Sequence, residues 1–133
     1  MKAMDASSTD CRGVLLVDDD RDIRETVSGI LEDEGYPVLQ ASDGDDALAV
    51  LREATPKPCV ILLDLMMPKM DGWEFRAEQM KDRTLAQIPI VLLTANGAPR
   101  QRAAALQAAG ALSKPFKLDE LLDAVQQFCV KKA

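Results

Sequence analysis

The sequence predicts an α/β fold, a five-stranded parallel sheet with helices on both faces. Short apolar runs recur along the chain, and each is followed by a segment of helical period. The runs are continuously apolar rather than alternating, as strands buried on both faces require. In order, Val14 to Val17 reads as a buried strand that stops at Asp18-Asp19-Asp20, and structure is expected to begin at Gly13. Ile23, Val27, Ile30 and Leu31 then share one helix face, which Gly35 closes. Pro37 to Ala41 is the second strand. Ser42-Asp43-Gly44 is a turn, and Asp45 and Asp46 suit the first turn of a helix that buries Leu48 and Leu51. A break at Pro56 and Pro58 precedes the most apolar strand, Cys59 to Leu63, which ends in Asp64.

Leu65 to Gly72 reads as a loop. The next helix starts near Trp73 and runs past Met80, with Trp73 and Phe75 assigned to packing. Ile90 to Leu93 is the fourth strand, closed by Thr94. Asn96-Gly97 and Pro99 mark a turn, and an Ala-rich helix from about Arg100 to Ala109 ends at Gly110. Ala111 to Ser113 leaves room for only a very short fifth strand before Lys114-Pro115. Leu118, Leu121, Leu122, Val125 and Phe128 form the apolar stripe of the last helix.

Composition narrows the function. The 133 residues are 47% hydrophobic and 29% charged, enough apolar content for one folded domain, expected over 13–133 behind a flexible arm at 1–12. No apolar stretch approaches the roughly 20 residues that cross a bilayer, and the first ten residues lack the apolar centre of a secretory signal, so a cytoplasmic location is expected. The net charge of -6, from 16 basic and 22 acidic side chains, disfavours a nucleic-acid surface. The absence of histidine excludes Ser-His-Asp and Cys-His mechanisms and the usual imidazole zinc sites. Cys11, Cys59 and Cys129 form no C-x-x-C pair, so idle thiols are expected rather than a disulfide framework or redox chemistry.

Ligands of open parallel sheets bind beyond the carboxyl ends of the strands, so the residues there belong together: Asp18, Asp19, Asp64, Thr94 and Lys114. If the first and third strands are neighbours, as in the common order 2-1-3-4-5, three carboxylates share one cleft. Like charges so close need a cation, and Mg2+, which takes hard oxygen ligands and joins carboxylates to phosphate, fits. An aspartate beside it can carry a phosphoryl group as an acyl phosphate, with a Thr94 hydrogen bond and a Lys114 charge on the phosphoryl oxygens. Each residue alone has a structural reading: Asp18 to Asp20 as a helix cap, Asp64 as a turn residue, Thr94 as an N-cap and Lys114 as a solvated charge. Four strand ends carrying the required groups together favour chemistry.

The segments Val14-Leu15-Leu16-Val17-Asp18-Asp19-Asp20, Asp64-Leu65-Met66-Met67-Pro68-Lys69-Met70-Asp71-Gly72, Leu93-Thr94-Ala95 and Lys114-Pro115-Phe116 resemble the receiver domain of two-component response regulators, from Val14 to about Val130. The resemblance implies the flavodoxin-like fold with strand order 2-1-3-4-5. It implies that Asp64 accepts a phosphoryl group from a sensor histidine kinase or histidine phosphotransfer protein. It also implies a Mg2+ site of Asp19, Asp64 and the Met66 main-chain carbonyl, with Asp18 acting through metal-bound waters. Thr94 and Lys114 would contact the phosphoryl group, and Lys114-Pro115 would be a cis bond. Met66 and Asn96 fall where the family sets phosphoryl lifetime. The expected output is altered binding to a downstream protein by a stand-alone receiver, a phosphoacceptor that assists its own phosphorylation and dephosphorylation, monomeric or weakly dimeric, bound to neither nucleic acid nor membrane.

One departure stands out. The segment Gly110-Ala111-Leu112-Ser113-Lys114 is shorter than usual in the family, and Ala111 occupies the place of the aromatic whose rotation accompanies the threonine's movement. That keeps a phosphorylation-independent binding module as an alternative. An aspartyl-phosphate phosphohydrolase is disfavoured, because such enzymes carry a second Asp two residues after the nucleophile and Met66 stands there.

Overall fold

The computed structural model describes residues 13–64, 70–94, 106–114 and 116–129. The arm at 1–12, the Met66 carbonyl, Asn96, most of the 100–109 helix and the Lys114-Pro115 bond lie outside the described residues. The elements run β1 Val14–Val17, α1 Arg21–Asp33, β2 Val38–Ala41, α2 Gly44–Glu53, β3 Val60–Asp64, α3 Gly72–Met80, α4 Arg83–Ala86, β4 Ile90–Thr94, β5 Gly110–Ser113 and α5 Leu118–Gln126. All pairings are parallel, in the order β2-β1-β3-β4-β5 expected from the family resemblance.

Alternate strand residues feed two cores. Leu15, Val17, Ile61, Leu63, Ile90 and Leu92 face α2, α3 and α4, where Leu48, Leu51, Phe75 and Leu85 meet them. Val14, Leu16, Val60, Leu62, Val91 and Leu93 face α1 and α5, against Val27, Leu31, Leu121 and Val125. This two-sided burial is why the central strands β1, β3 and β4 are apolar up to their carboxyl ends, while the edge strands β2 and β5 carry exposed Gln40 and Ser113.

Aspartates cap α1 to α4, as the helix dipoles favour. Asp20 accepts the Asp22 and Ile23 N–H groups, Asp43 accepts that of Asp46, and Asp71 and Glu74 form a reciprocal capping box. At the end of α1, Gly35 adopts φ +95°, a conformation open to glycine, and lets the Tyr36 N–H reach back to the Leu31 carbonyl at 3.0 Å.

Three expectations need correction, and one short helix was not expected. Trp73 is 41% exposed, because the turn of α3 that buries Phe75 sends Trp73 outward. Leu118 is 49% exposed; it opens α5 before the helix settles on the sheet through Leu121 and Val125. The short helix α4 went unread, since four residues are too few for a periodic signal; Asp82 starts it by accepting from the Thr84 N–H and hydroxyl, and those bonds hold its carboxyl below its ordinary pKa. Finally, Cys59 and Cys129 are joined in a disulfide with Cα atoms 5.6 Å apart. The start of β3 and the end of α5 meet at the amino-terminal edge of the sheet, a juxtaposition that a sequence separation of 70 conceals.

Candidate functional site

Strand register builds the site. Val17 pairs with Leu63, so Asp18, one residue further, stands beside Asp64. Asp64 pairs with Leu93 and Thr94 with Ser113, which brings Thr94 and Lys114 to the same end of the sheet. The Lys114 N–H donates to the Thr94 carbonyl at 2.7 Å, fixing where β5 releases the lysine. Asp18, Asp64 and Thr94 are buried, whereas Asp19 is exposed.

One oxygen from each of Asp18, Asp19 and Asp64 lies within 4.8 Å of the other two. The Lys114 ammonium donates to Asp18 Oδ2 at 2.9 Å and lies 3.6 Å from Asp64 Oδ2. Burial pulls this ammonium down, but the hydrogen bond to Asp18 and the charges of Asp64 and Asp18 outweigh it and leave the lysine above its ordinary pKa. Among the described residues the Lys114 ammonium is the cation in contact with the cluster's carboxylate oxygens, one positive charge against three acids.

That donor set fits Mg2+, with hard oxygens converging and one carboxylate open to water. The carboxylates are not equivalent. Asp18 Oδ1 accepts the Asp20 N–H at 2.9 Å while Oδ2 holds Lys114, so both its oxygens are engaged. Asp19 is the carboxylate open to an incoming ion, and Asp18 suits support through metal-bound water. Arg24, which the sequence did not single out, donates to the Asp18 carbonyl at 2.8 Å from α1 and steadies this turn. Its only signal was an arginine one helical turn beyond the Asp20 cap.

Beside Lys114, a recess of about 530 Å3 opens between α1 and Phe116, lined by Ile23, Thr26 and Val27 with Asp22 at its edge. At the outer edge of the sheet, small residues Gly110 and Ala111 leave a second cleft of about 270 Å3 against Ala124 and Phe128 of the last helical segment. No helix among the described residues is long and apolar enough to cross a membrane.

The chemotaxis protein CheY4 of Vibrio cholerae superposes with a TM-score of 0.80 at 38% identity, covering 89% of this chain and 98% of that one. A CheY-like response regulator receiver domain protein from Methanospirillum hungatei gives 0.73 at 35% identity, covering 86% and 90%. The response regulator MprA of Mycolicibacterium vanbaalenii is 41% identical over 111 residues, 82% of this chain and 46% of that protein. The chain thus spans about half the length of the curated relatives it matches. Residues 14–126 match the response regulator receiver domain, and the chain belongs to that family of two-component signalling proteins.

Proposed function

We propose that this receiver accepts a phosphoryl group on Asp64 and signals by a change in protein binding. The observation that carries this reading is the convergence of the Asp18, Asp19 and Asp64 carboxylates against one ammonium, that of Lys114. Bound Mg2+, held by Asp19, Asp64 and the Met66 main-chain carbonyl with Asp18 acting through water, would supply charge neutralisation at the phosphoryl oxygens. An Asp64 carboxylate oxygen attacks phosphorus as the bond to the donor's leaving group breaks, giving an acyl phosphate. The Lys114 ammonium then exchanges part of its contact with Asp18 for a phosphoryl oxygen, and the Thr94 hydroxyl donates to another.

These 133 residues contain no histidine, so the phosphohistidine of a histidine kinase or phosphotransfer protein lies outside them. The recess between α1 and Phe116, opening beside Lys114, offers that donor an apolar foothold. Receivers are signalling domains rather than enzymes, and hydrolysis of the acyl phosphate at the same site would reset the switch. The added charge, up to about two units, shifts the population between two states to the extent that each binds the phosphoryl group differently.

Intact mass after incubation with Mg2+ and acetyl phosphate tests the assignment, beside an Asp64→Asn control. A Mg2+-dependent gain of one phosphoryl group that the control lacks is expected. Equal labelling of Asp64→Asn would move the acceptor elsewhere, and a protein refractory to cognate kinases as well would be a phosphorylation-independent binding module.

A further inference from the structure

We infer that Cys59 and Cys129 form a reversible thiol–disulfide site that fastens and releases the carboxyl end of the last helix. The two cysteines lie at the end of the sheet opposite Asp64, Cys59 just before β3 and Cys129 just after α5. Their Cα separation of 5.6 Å lies within the range that a disulfide bridges without backbone movement. Cys129 is 6% exposed, while Cys59 is only half-buried. Of the two residues Cys59 is the more open to a small thiol or disulfide from solution, which makes Cys129 the resolving partner.

Both redox states suit the same fold. The two sulfurs lie 3.2 and 3.4 Å from the Gly13 carbonyl oxygen, which also accepts the Cys59 N–H at 2.8 Å, so the freed thiols share one polar acceptor. They also pack within the core formed by Val14, Val60 and Val125, where a reduced cysteine behaves as a small apolar residue. What changes is the tether. With the bridge closed, the end of α5 is covalently bound to the start of β3; with it open, α5 is held by packing through Leu121, Ala124 and Val125.

The chemistry is thiol–disulfide exchange with a small-molecule disulfide as oxidant. The Cys59 thiolate attacks one sulfur of that disulfide and expels one thiol, forming a mixed disulfide. The Cys129 thiolate then attacks the Cys59 sulfur and expels the second thiol. The protein gives up two electrons and two protons, which leave on the two thiols released, and excess small thiol reverses both steps.

The full chain, equilibrated in mixtures of oxidised and reduced glutathione, quenched in acid, alkylated and mapped by mass, tests this. The expected result is a reversible transition that loses two hydrogens and links the Cys59 peptide to the Cys129 peptide. The bridged form should melt roughly 10 °C above the reduced form, with slower amide exchange over residues 118–129. Cys59→Ser and Cys129→Ser should each melt near the reduced protein whatever the glutathione ratio. Both thiols remaining alkylatable under oxidised glutathione, or a bridge that includes Cys11 instead, would overturn the site. A Cys59–Cys129 bridge that resists excess reduced glutathione in the native protein, or that leaves melting and α5 exchange unchanged, would overturn its reversibility or its effect.

Discussion

The Lys114 ammonium donates to Asp18 Oδ2 at 2.9 Å across 96 residues of sequence, and among the described residues it is the side-chain cation that touches the carboxylates of the acidic cluster. It stands beside the oxygens that a divalent ion would use, so a bound ion would take over part of the lysine's electrostatic task. Replacing it by Met, which keeps the stem but not the charge, leaves the three carboxylates uncompensated. Lys114→Met should cost about 1–2 kcal/mol in urea unfolding with EDTA, less than a fully buried charged hydrogen bond because the lysine is partly exposed. Mg2+ should narrow that gap, since the variant no longer opposes the ion and gains more from binding it. An equal deficit with and without Mg2+ would refute the shared role.

The same contact sets a pH dependence in the metal-free protein. The folded Lys114 ammonium titrates above its ordinary value, so its stabilising contribution is fully present below the unfolded lysine's pKa, near ~10.4, and is lost as pH rises through the higher folded value. The stability difference between the protein and Lys114→Met should therefore be flat from neutral pH to about pH 10 and shrink above it. A difference that instead disappears between pH 5 and 8 would place its origin elsewhere.

Asp19 and Asp20 are adjacent and both exposed, yet they should separate cleanly. Asp20 caps α1 by accepting from the Asp22 N–H at 2.9 Å, whereas the Asp19 carboxylate belongs to the acidic cluster. Asp20→Ala should lose about 1 kcal/mol of stability with Mg2+ affinity nearly intact. Asp19→Ala should leave metal-free stability almost unchanged and weaken Mg2+ at least about tenfold in a calorimetric titration, by analogy with the loss from disturbing even outer-shell groups. If the two variants bind Mg2+ alike, Asp19 is not a ligand.

The strand ends were legible because each apolar run stops at a polar residue, and parallel strands bring such stops to one edge. Asp18, Asp64, Thr94 and Lys114 could thus be grouped before any distance was known. What sequence withholds is pairing across that framework. Cys59 and Cys129 carry no spacing motif, and only the seating of α5 on the sheet brings their sulfurs together. Trp73 and Phe75 are two residues apart on a short helix whose apolar face is weakly marked, so nothing local says which turns inward. Arg76 illustrates the same limit, since an arginine on a mixed helix face reads as solvated.

In the structure Arg76 is a structural clamp. Its Nε and one terminal nitrogen donate to the Leu106 and Gln107 carbonyls at 2.9 and 3.0 Å, where Gln107 adopts φ +58°, and its other terminal nitrogen holds Gln79 Oε1 at 2.8 Å. Gln79, fully buried, passes the support on by donating to the Leu85 and Ile88 carbonyls. Burial lowers the Arg76 guanidinium from its ordinary pKa, but its planar fork spreads three nitrogens to acceptors on separate segments, a span that the single nitrogen of an ammonium does not have. Arg76→Ala should destabilise by about 2–3 kcal/mol, leaving carbonyls and a buried amide short of donors. Arg76→Lys should recover less than half of that loss. Because Leu106 and Gln107 lead into β5 and thence to Lys114, amide exchange over residues 106–113 should accelerate in both variants. Wild-type stability and exchange in Arg76→Lys would show that charge alone, not the three-way geometry, holds this corner.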